Sequence, residues 1–179
     1  MAKKPILRTT RLLLRQVAET DATLLFDLWN RPEVRRYLWD DQVVEMETIQ
    51  ELLILNDRLH REQQYGLWLI HKVWNPTELL GFCGLWHYFG EDQPQLIYGL
   101  KGDYWKQGIA TEASQRIVDY AFRKLKFPFL HAATDLPNTA SAKVLKRLGF
   151  EYWKAEEIDG FPLVFFKKLP NTPGFKKAT

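Results

Sequence analysis

The 179-residue sequence predicts an α/β fold built on a mixed, mostly antiparallel sheet, and three observations lead there. Apolar residues change period along the chain, from helical spacings over about residues 20–64 to strand-like runs after Gly66. A long amphipathic segment after Gly108 then separates two strands, which suits a right-handed crossover between parallel neighbours. Near the end, Asp159 and Gly160 divide YWKAEEI from FPLVFFKKL, and that dipeptide favours a two-residue hairpin turn.

The elements follow in order. In RLLLRQV, Leu12 and Leu14 alternate with Leu13 and Arg15, as in a strand. ETDATLLFDLW starts a helix: Thr20 or Asp21 can cap its first turn, and Leu24, Leu25, Leu28 and Trp29 make one apolar face. Pro32 ends that run or restarts it. A second helix is expected over about residues 48–64, where Ile49, Leu52, Leu53 and Leu59 recur at mostly helical spacings. GLWLIHKV and LLGFCGLWHY read as antiparallel strands about a turn at Asn75 and Pro76, and QLIYGLKG as a third. Ala113, Ile117, Val118, Ala121, Phe122 and Leu125 mark a long helix that stops before Pro128. FLHAATD is a strand, and Thr139 to Leu148 a helix terminated by Gly149, with Phe150 packing back on it. One domain spanning 1–179 is expected, with about 170–179 as a flexible tail.

Composition narrows the function classes. A hydrophobic fraction of 46%, with 7 Trp, 7 Tyr and 11 Phe, excludes intrinsic disorder for most of the chain. Cys83 is the single cysteine, so no disulfide framework or cysteine-rich metal site can be built, and a reducing, cytoplasmic setting fits. No apolar run approaches the roughly 20 residues that span a bilayer, and MAKKPILRTTR lacks a secretory segment, so no membrane partner is expected. The formal charge of +3, with dispersed basic residues, argues against nucleic acid. Lys167 and Lys168 read as a solvated strand end, and Lys176 and Lys177 as part of the tail.

The stretch YWKQGIATEA, residues 104–113, occupies the strand-to-helix junction of the crossover. First-turn amides have no partners inside a helix and the dipole is positive there, so a backbone that passes closely can hold an anion. Gly108 removes the side chain that would keep a phosphate away. Taken alone, one glycine at such a junction is more often a steric need of the turn, and WKQGIA matches neither GxGxxG nor the lysine-containing phosphate loop.

With QLIYGL before it and NTASAKVLKRLGF after it, this stretch resembles the GNAT N-acetyltransferases, in particular the branch that includes ribosomal-protein N-terminal acetyltransferases. LRTTRLLLR, DATLLFDLW and PEVRRYL extend the likeness over nearly the whole chain. The family loop pattern Q/R-x-x-G-x-G/A is kept at Gly108 and Ala110, with Trp105 at its first position. The resemblance implies a GNAT fold, with splayed central parallel strands and helices on both faces of the sheet. It implies acetyl-CoA as co-substrate, its pyrophosphate held by backbone N–H groups of Lys106, Gln107, Gly108, Ala110 and Thr111. The pantetheine arm would pair, like an added strand, with backbone at Tyr98, Gly99 and Leu100.

Acetyl transfer to an amine needs a neutral amine, a polarised thioester carbonyl and a proton for the departing thiolate, and none of these requires a metal. The resemblance implies direct attack by a primary amine, with the carbonyl polarised by the N–H of Leu100 or its neighbour. Asn138 and Ser141 match the N-x-x-S of this branch. Asn138 would bind the pantetheine or orient the site, and Ser141 would sit near the sulfur and return the proton. The same residues read equally as a helix cap and a first-turn residue, and the roles can coexist. Where many relatives carry a glutamate base this chain has Gln95, which leaves Glu91, Asp92 and His87, a water relay, or an amine that arrives neutral. Cys83 has no adjacent basic partner and reads as packing rather than as a ping-pong nucleophile.

Acceptor recognition would fall to the first two helices, the segment RRYLWDDQ and the final hairpin. Asp40 and Asp41 can attract a cationic amine and Trp39 can stack on it, although either aspartate serves as well for a cap. The acceptor is a protein N-terminus or a small-molecule amine, and a homodimer is compatible with the sequence. The rival reading is a catalytically silent acyl-CoA-binding regulatory module, which the glutamine at position 95 favours.

Overall fold

The structure, a computed structural model, describes residues 6–88, 90 and 92–170. Glu91, Lys176, Lys177 and all but the first residue of the expected tail lie outside the described residues. The strands are β1 (Ile6–Arg8), β2 (Leu12–Gln16), β3 (Leu67–Lys72), β4 (Asn75–Trp86), β5 (Gln95–Leu100), β6 (Leu130–Asp135), β7 (Glu151–Ile158) and β8 (Phe161–Lys168). The helices are α1 (Ala22–Trp29), α2 (Pro32–Leu38), α3 (Met46–Glu62), α4 (Ile109–Arg123) and α5 (Thr139–Arg147). The strands form one sheet in the order β1-β2-β3-β4-β5-β6-β8-β7, in which only β5 and β6 are parallel.

Two elements go beyond the sequence reading. Pro32 restarts the chain as α2, at the first helical position, where its missing N–H and fixed φ cost nothing. Ile6 to Arg8 add the short edge strand β1, paired to β2 through the turn at Thr9 to Arg11. The β3–β4 turn is Val73–Trp74 rather than Asn75–Pro76; Pro76, which has no N–H for a ladder, falls within a register shift of β4. Asp21 does not cap α1. Its carboxylate accepts from the Ala18 N–H at 2.8 Å and from the Arg15 guanidinium at 2.8 and 3.0 Å. The expected hairpin turn is present, with φ of 52° at Asp159 and 82° at Gly160. At the end of α5, Gly149 turns left-handed and the Phe150 N–H bonds the Leu145 carbonyl at 3.0 Å.

Both faces of the sheet are covered. Leu67 to His71 and Leu79 to Trp86 are buried throughout, without the alternation of a half-solvated strand. Trp68 meets Tyr120 of α4 with ring centroids 5.7 Å apart, on one face. Phe82 stands opposite Leu69, and so on the other face, where it meets Trp29 of α1 at 5.7 Å.

The feature that matters for chemistry is a split in the sheet. β5 and β6 share a single opposed pair, Gln95 and His131, and then part. β5 follows β4 over six residue pairs and β6 follows β8 over six, so each strand keeps to its outer neighbour. The Lys101 N–H donates to the Leu80 carbonyl at 3.0 Å. Backbone groups alternate along a strand, so Gly99 also turns toward β4, while the amides of Tyr98 and Leu100 face the open split.

Candidate active site

The connection from β5 to α4 frames one side of the split. Gly108 caps α4 with φ 75° and ψ 2°, a left-handed conformation that strains any residue with a Cβ. Among the described residues, nothing accepts a hydrogen bond from the N–H groups of Lys106, Gln107, Gly108, Ala110 or Thr111. The first internal bond of the helix runs from Glu112 N–H to the Gly108 carbonyl at 2.9 Å. Five donors at or just before a positive helix end are therefore left without an acceptor among the described residues, which suits an anion.

Side chains from elsewhere hold this loop in shape. Thr9 Oγ1 donates to Glu112 Oε1 at 2.5 Å, and Arg11 Nε to Glu112 Oε2 at 2.7 Å. The same guanidinium donates to the Gln107 carbonyl at 3.2 and 3.3 Å, turning that carbonyl away from any anion. Burial works against the Glu112 carboxylate, but these donors hold it below the ordinary glutamate range. Upstream, Glu33 Oε1 accepts from the Gly102 N–H at 3.1 Å and from Arg31 Nε at 2.7 Å. Trp105 Nε1 donates to the Leu100 carbonyl at 3.0 Å. That carbonyl is thus occupied, and the Leu100 N–H is left open to the split.

Across the split, Asn138 and Ser141 open α5. Asn138 Oδ1 accepts from the Ser141 N–H at 3.2 Å, which is the capping role. Ser141 has a further partner. Tyr98 Oη lies 2.8 Å from Ser141 Oγ and 3.1 Å from the Ser141 carbonyl, so a side chain of β5 bridges to α5. Burial pushes the Tyr98 hydroxyl up to about 12, against a smaller opposite effect of Ser141, and it stays protonated near neutral pH.

The base candidates do not gather at this open end. Gln95 is 1% exposed and belongs to the closed end, where β5 meets β6. Five residue steps along β5 separate it from Leu100, about 17 Å at strand rise. His87 follows β4 at the same closed end, with Nε2 2.7 Å from the Tyr65 hydroxyl. Asp92 lies exposed in the connection just before Gln95. Cys83 is fully buried in β4, and burial pushes its thiol well up, so it packs as expected. Trp39 turns inward onto Trp29, with ring centroids 5.6 Å apart and its indole nitrogen buried, so its ring belongs to the core rather than to an acceptor.

Asp40 and Asp41 do line a pocket. It has a volume of about 280 Å³ and is bounded by Arg36 and Tyr37 of α2, Phe161 of β8, and Asp40, Asp41 and Asp135. Asp41 accepts from Arg35 Nε at 3.0 Å. Burial raises the Asp135 carboxyl above the ordinary aspartate value, opposed by a hydrogen bond from its own backbone N–H and aided by the charge of Asp40. Among the described residues, no group of three or more His, Cys, Asp or Glu side chains is arranged to hold a metal ion, and no helix is long and apolar enough to cross a membrane.

Residues 11–151 match the family model described as acetyltransferase (GNAT) domain. The chain belongs to the GNAT acetyltransferase family. Among curated relatives of this GNAT chain, uncharacterized N-acetyltransferase p20 of Bacillus licheniformis is 30% identical over 146 residues, covering 81% of this chain and 82% of that protein. Among solved structures, an acetyltransferase from Agrobacterium tumefaciens str. C58 superposes with a TM-score of 0.81 at 22% identity, covering 95% of this chain and 97% of the other. A RimL ribosomal L7/L12 alpha-N-protein acetyltransferase in complex with coenzyme A gives 0.76 at 19% identity, covering 92% and 98%. At these identities the solved structures establish the shared fold, with its mixed sheet and one parallel pair.

Sequence reasoning missed the Arg11–Glu112 anchor, the Glu33 contact and the Tyr98 hydroxyl, and it did not single out Asp135, which lines the pocket. Only Glu112 carried a local signal, as an acid in the first turn of a helix. The others depend on which strands and helices become neighbours.

Proposed function

We propose that this chain transfers the acetyl group of acetyl-CoA to a primary amine by direct attack. The observation that carries the reading is the split between β5 and β6, edged by the unpartnered N–H of Leu100 and flanked by the open amides at the start of α4. In this reading the pyrophosphate rests on backbone N–H groups of Lys106, Gln107, Gly108, Ala110 and Thr111. The pantetheine arm runs along Tyr98 and Leu100. Gly99 serves differently from its neighbours: its backbone turns to β4, and a Cβ there would come within 2.6 Å of the Phe82 ring.

The chemistry then divides among the chain's own groups. The Leu100 N–H polarises the thioester carbonyl, a fixed dipole aimed where charge develops. Ser141, held by the Tyr98 hydroxyl, returns a proton to the departing sulfur. Asn138 caps α5, fixes Ser141 and contributes to the pantetheine site. The likeness to RimL ribosomal L7/L12 alpha-N-protein acetyltransferases supports a protein N-terminus as one acceptor class, beside small-molecule amines. A cytoplasmic location fits the single buried thiol.

The test combines calorimetric titration with CoA and thiol release from acetyl-CoA in the presence of primary amines. Amine-dependent CoA release is expected. Tight CoA binding without turnover on any amine would instead identify the silent acyl-CoA-binding module.

A further inference from the structure

No sequence motif marks Asp135, the last residue of β6, yet its place in the sheet is specific. Opposed residues share a face, so His131 shares the face of Gln95, which is also that of Gly99 and Phe82. Alternation along β6 carries Asp135 to the same face, the one covered by α1 and lined here by α2. Tyr98 stands opposite Cys83, and Cys83 opposite Trp68, so the Tyr98–Ser141 pair lies on the other face, with α4. The two sides of the split therefore present different groups: a hydroxyl pair on one, a carboxylate on the other.

The surroundings of Asp135 define what it can receive. From α2 the pocket presents Arg36 and Tyr37, and from the turn after α2 it presents Asp40 and Asp41. The parts of β8 and of the β6–α5 connection that line it are Phe161, Pro162 and Pro137, none of which titrates. Asp41 is paired with Arg35. Asp40 and Asp135 then stand against the single charge of Arg36, which leaves one negative charge unmatched. A single ammonium would balance it, with an apolar substituent against Tyr37 and Phe161.

Resting on the acetyltransferase reading, we propose that this pocket binds a monocationic primary amine as its ammonium and that the Asp135 carboxylate takes one of its protons. The neutral nitrogen lone pair then forms the N–C bond to the thioester carbon. The C–S bond breaks with its electron pair moving to sulfur. The second proton, lost from nitrogen, reaches the thiolate by way of Ser141, and Asp135 releases its proton to solvent. A carboxyl shifted upward by burial and by Asp40 is better matched to this task than an exposed aspartate.

The experiment follows thiol release from acetyl-CoA with phenethylamine, a serine-initiated tripeptide amide and spermidine as probes. The two monocations are expected to exceed spermidine in kcat/KM. Asp135→Asn should lower kcat/KM by about 100-fold at pH 7, with acetyl-CoA affinity unchanged by calorimetry. The loss should narrow as pH rises toward the amine's own pKa, where neutral amine no longer needs a base, and Asp135→Glu should restore part of the rate. Asp40→Asn, which leaves Asp135 in place, should move the acid limb of the wild-type profile to lower pH. A wild-type rate in Asp135→Asn at pH 7, an equal loss at every pH, or an unmoved acid limb in Asp40→Asn would overturn the proposal. Preference for spermidine would overturn the charge assignment. CoA binding without thiol release on any probe would show that acetyl transfer itself is wrong, and the role of Asp135 would fall with it.

Discussion

Arg11 and Glu112 are 101 residues apart in sequence, and the Arg11 guanidinium donates to the Glu112 carboxylate at 2.7 Å. The contact ties the β1–β2 turn to the first turn of α4, and the same arginine holds the Gln107 carbonyl. An acid in the first turn of an anion-binding helix would repel phosphate if left free. Here its charge is matched by Arg11 and its oxygens are occupied, so it shapes the loop without opposing the ligand.

Glu112→Gln should therefore weaken CoA binding by about 3- to 10-fold, measured by calorimetry, because Arg11 loses its charged partner and the loop loosens. The carboxyl is held below its ordinary range in the fold, so its contribution to stability is complete above the ordinary glutamate pKa. That contribution is lost as pH falls through the lowered value. The Tm difference between wild type and Glu112→Gln should accordingly shrink on acidification; a difference constant from pH 7 to pH 3 would rule out this linkage.

Gly108→Val tests the cradle itself. A Cβ at this position meets nothing closer than Arg11 Nη2 at 3.6 Å, so sterics within the fold allow it. The cost is conformational, about 1–3 kcal/mol for a branched residue at φ 75°. The protein should fold at lower Tm, while CoA affinity drops by more than tenfold, since a branched residue resists the left-handed conformation that sets the direction of the neighbouring loop amides. Unchanged CoA affinity in a folded variant would remove the pyrophosphate site from this loop.

Why these parts differed in legibility is physical. Gly108, the α4 face, the Gly149 stop and the Asp159–Gly160 turn were readable because each depends on neighbours within a few residues. The α4 residues Ala113, Ile117, Val118 and Ala121 are buried as their spacing predicts. Asn138 was readable as a cap for the same reason. Tyr98 gave no such signal, because its hydroxyl acquires a role only when β5 and α5 meet across the split. Trp39 looked available for stacking, yet an aromatic ring beside Trp29 gains more by burial than by waiting for a cation. Asp135 required the face alternation of two strands to be known before its direction had meaning.

The Tyr98–Ser141 pair makes a prediction about turnover. Tyr98 stays protonated near neutral pH and supports Ser141. Ser141→Ala should lower kcat by about 10- to 100-fold, with acetyl-CoA affinity little changed. Tyr98→Phe should lower kcat less, because Ser141 persists but is no longer oriented. An unaltered kcat in Ser141→Ala would leave the serine as a first-turn residue and nothing more.

Cys83 supplies a contrast. Its thiol is fully buried on the face of the sheet that α4 covers, with its pKa pushed upward, so it is neither ionised nor reachable. Iodoacetamide at neutral pH should leave the folded protein unmodified and its acetyl transfer intact, as read by intact mass and thiol release. Cys83→Ala should cost about 1 kcal/mol of stability and retain turnover. Loss of turnover in a folded Cys83→Ala protein would revive a covalent acyl intermediate.

Asp135 carries the opposite stability sign from Glu112. Burial and the nearby Asp40 raise its carboxyl pKa in the fold, so the fold favours the protonated form. Its favourable contribution is complete below the ordinary aspartate pKa and is lost as pH rises through the raised folded value. At pH 7 the ionised carboxylate is a burden, which Asp135→Asn removes while keeping the shape. Asp135→Asn should thus melt higher than wild type at pH 7, by up to about 3 °C, with the difference vanishing in acid, where the wild-type carboxyl is neutral as well. A carbon-detected NMR titration should find the Asp135 carboxyl above the ordinary aspartate value in wild type and lower in Asp40→Asn. A pH-7 Tm below wild type would mean that contacts to the ionised carboxylate outweigh the cost of its burial, and a group held that firmly in its charged form would be a poor proton acceptor for an incoming amine.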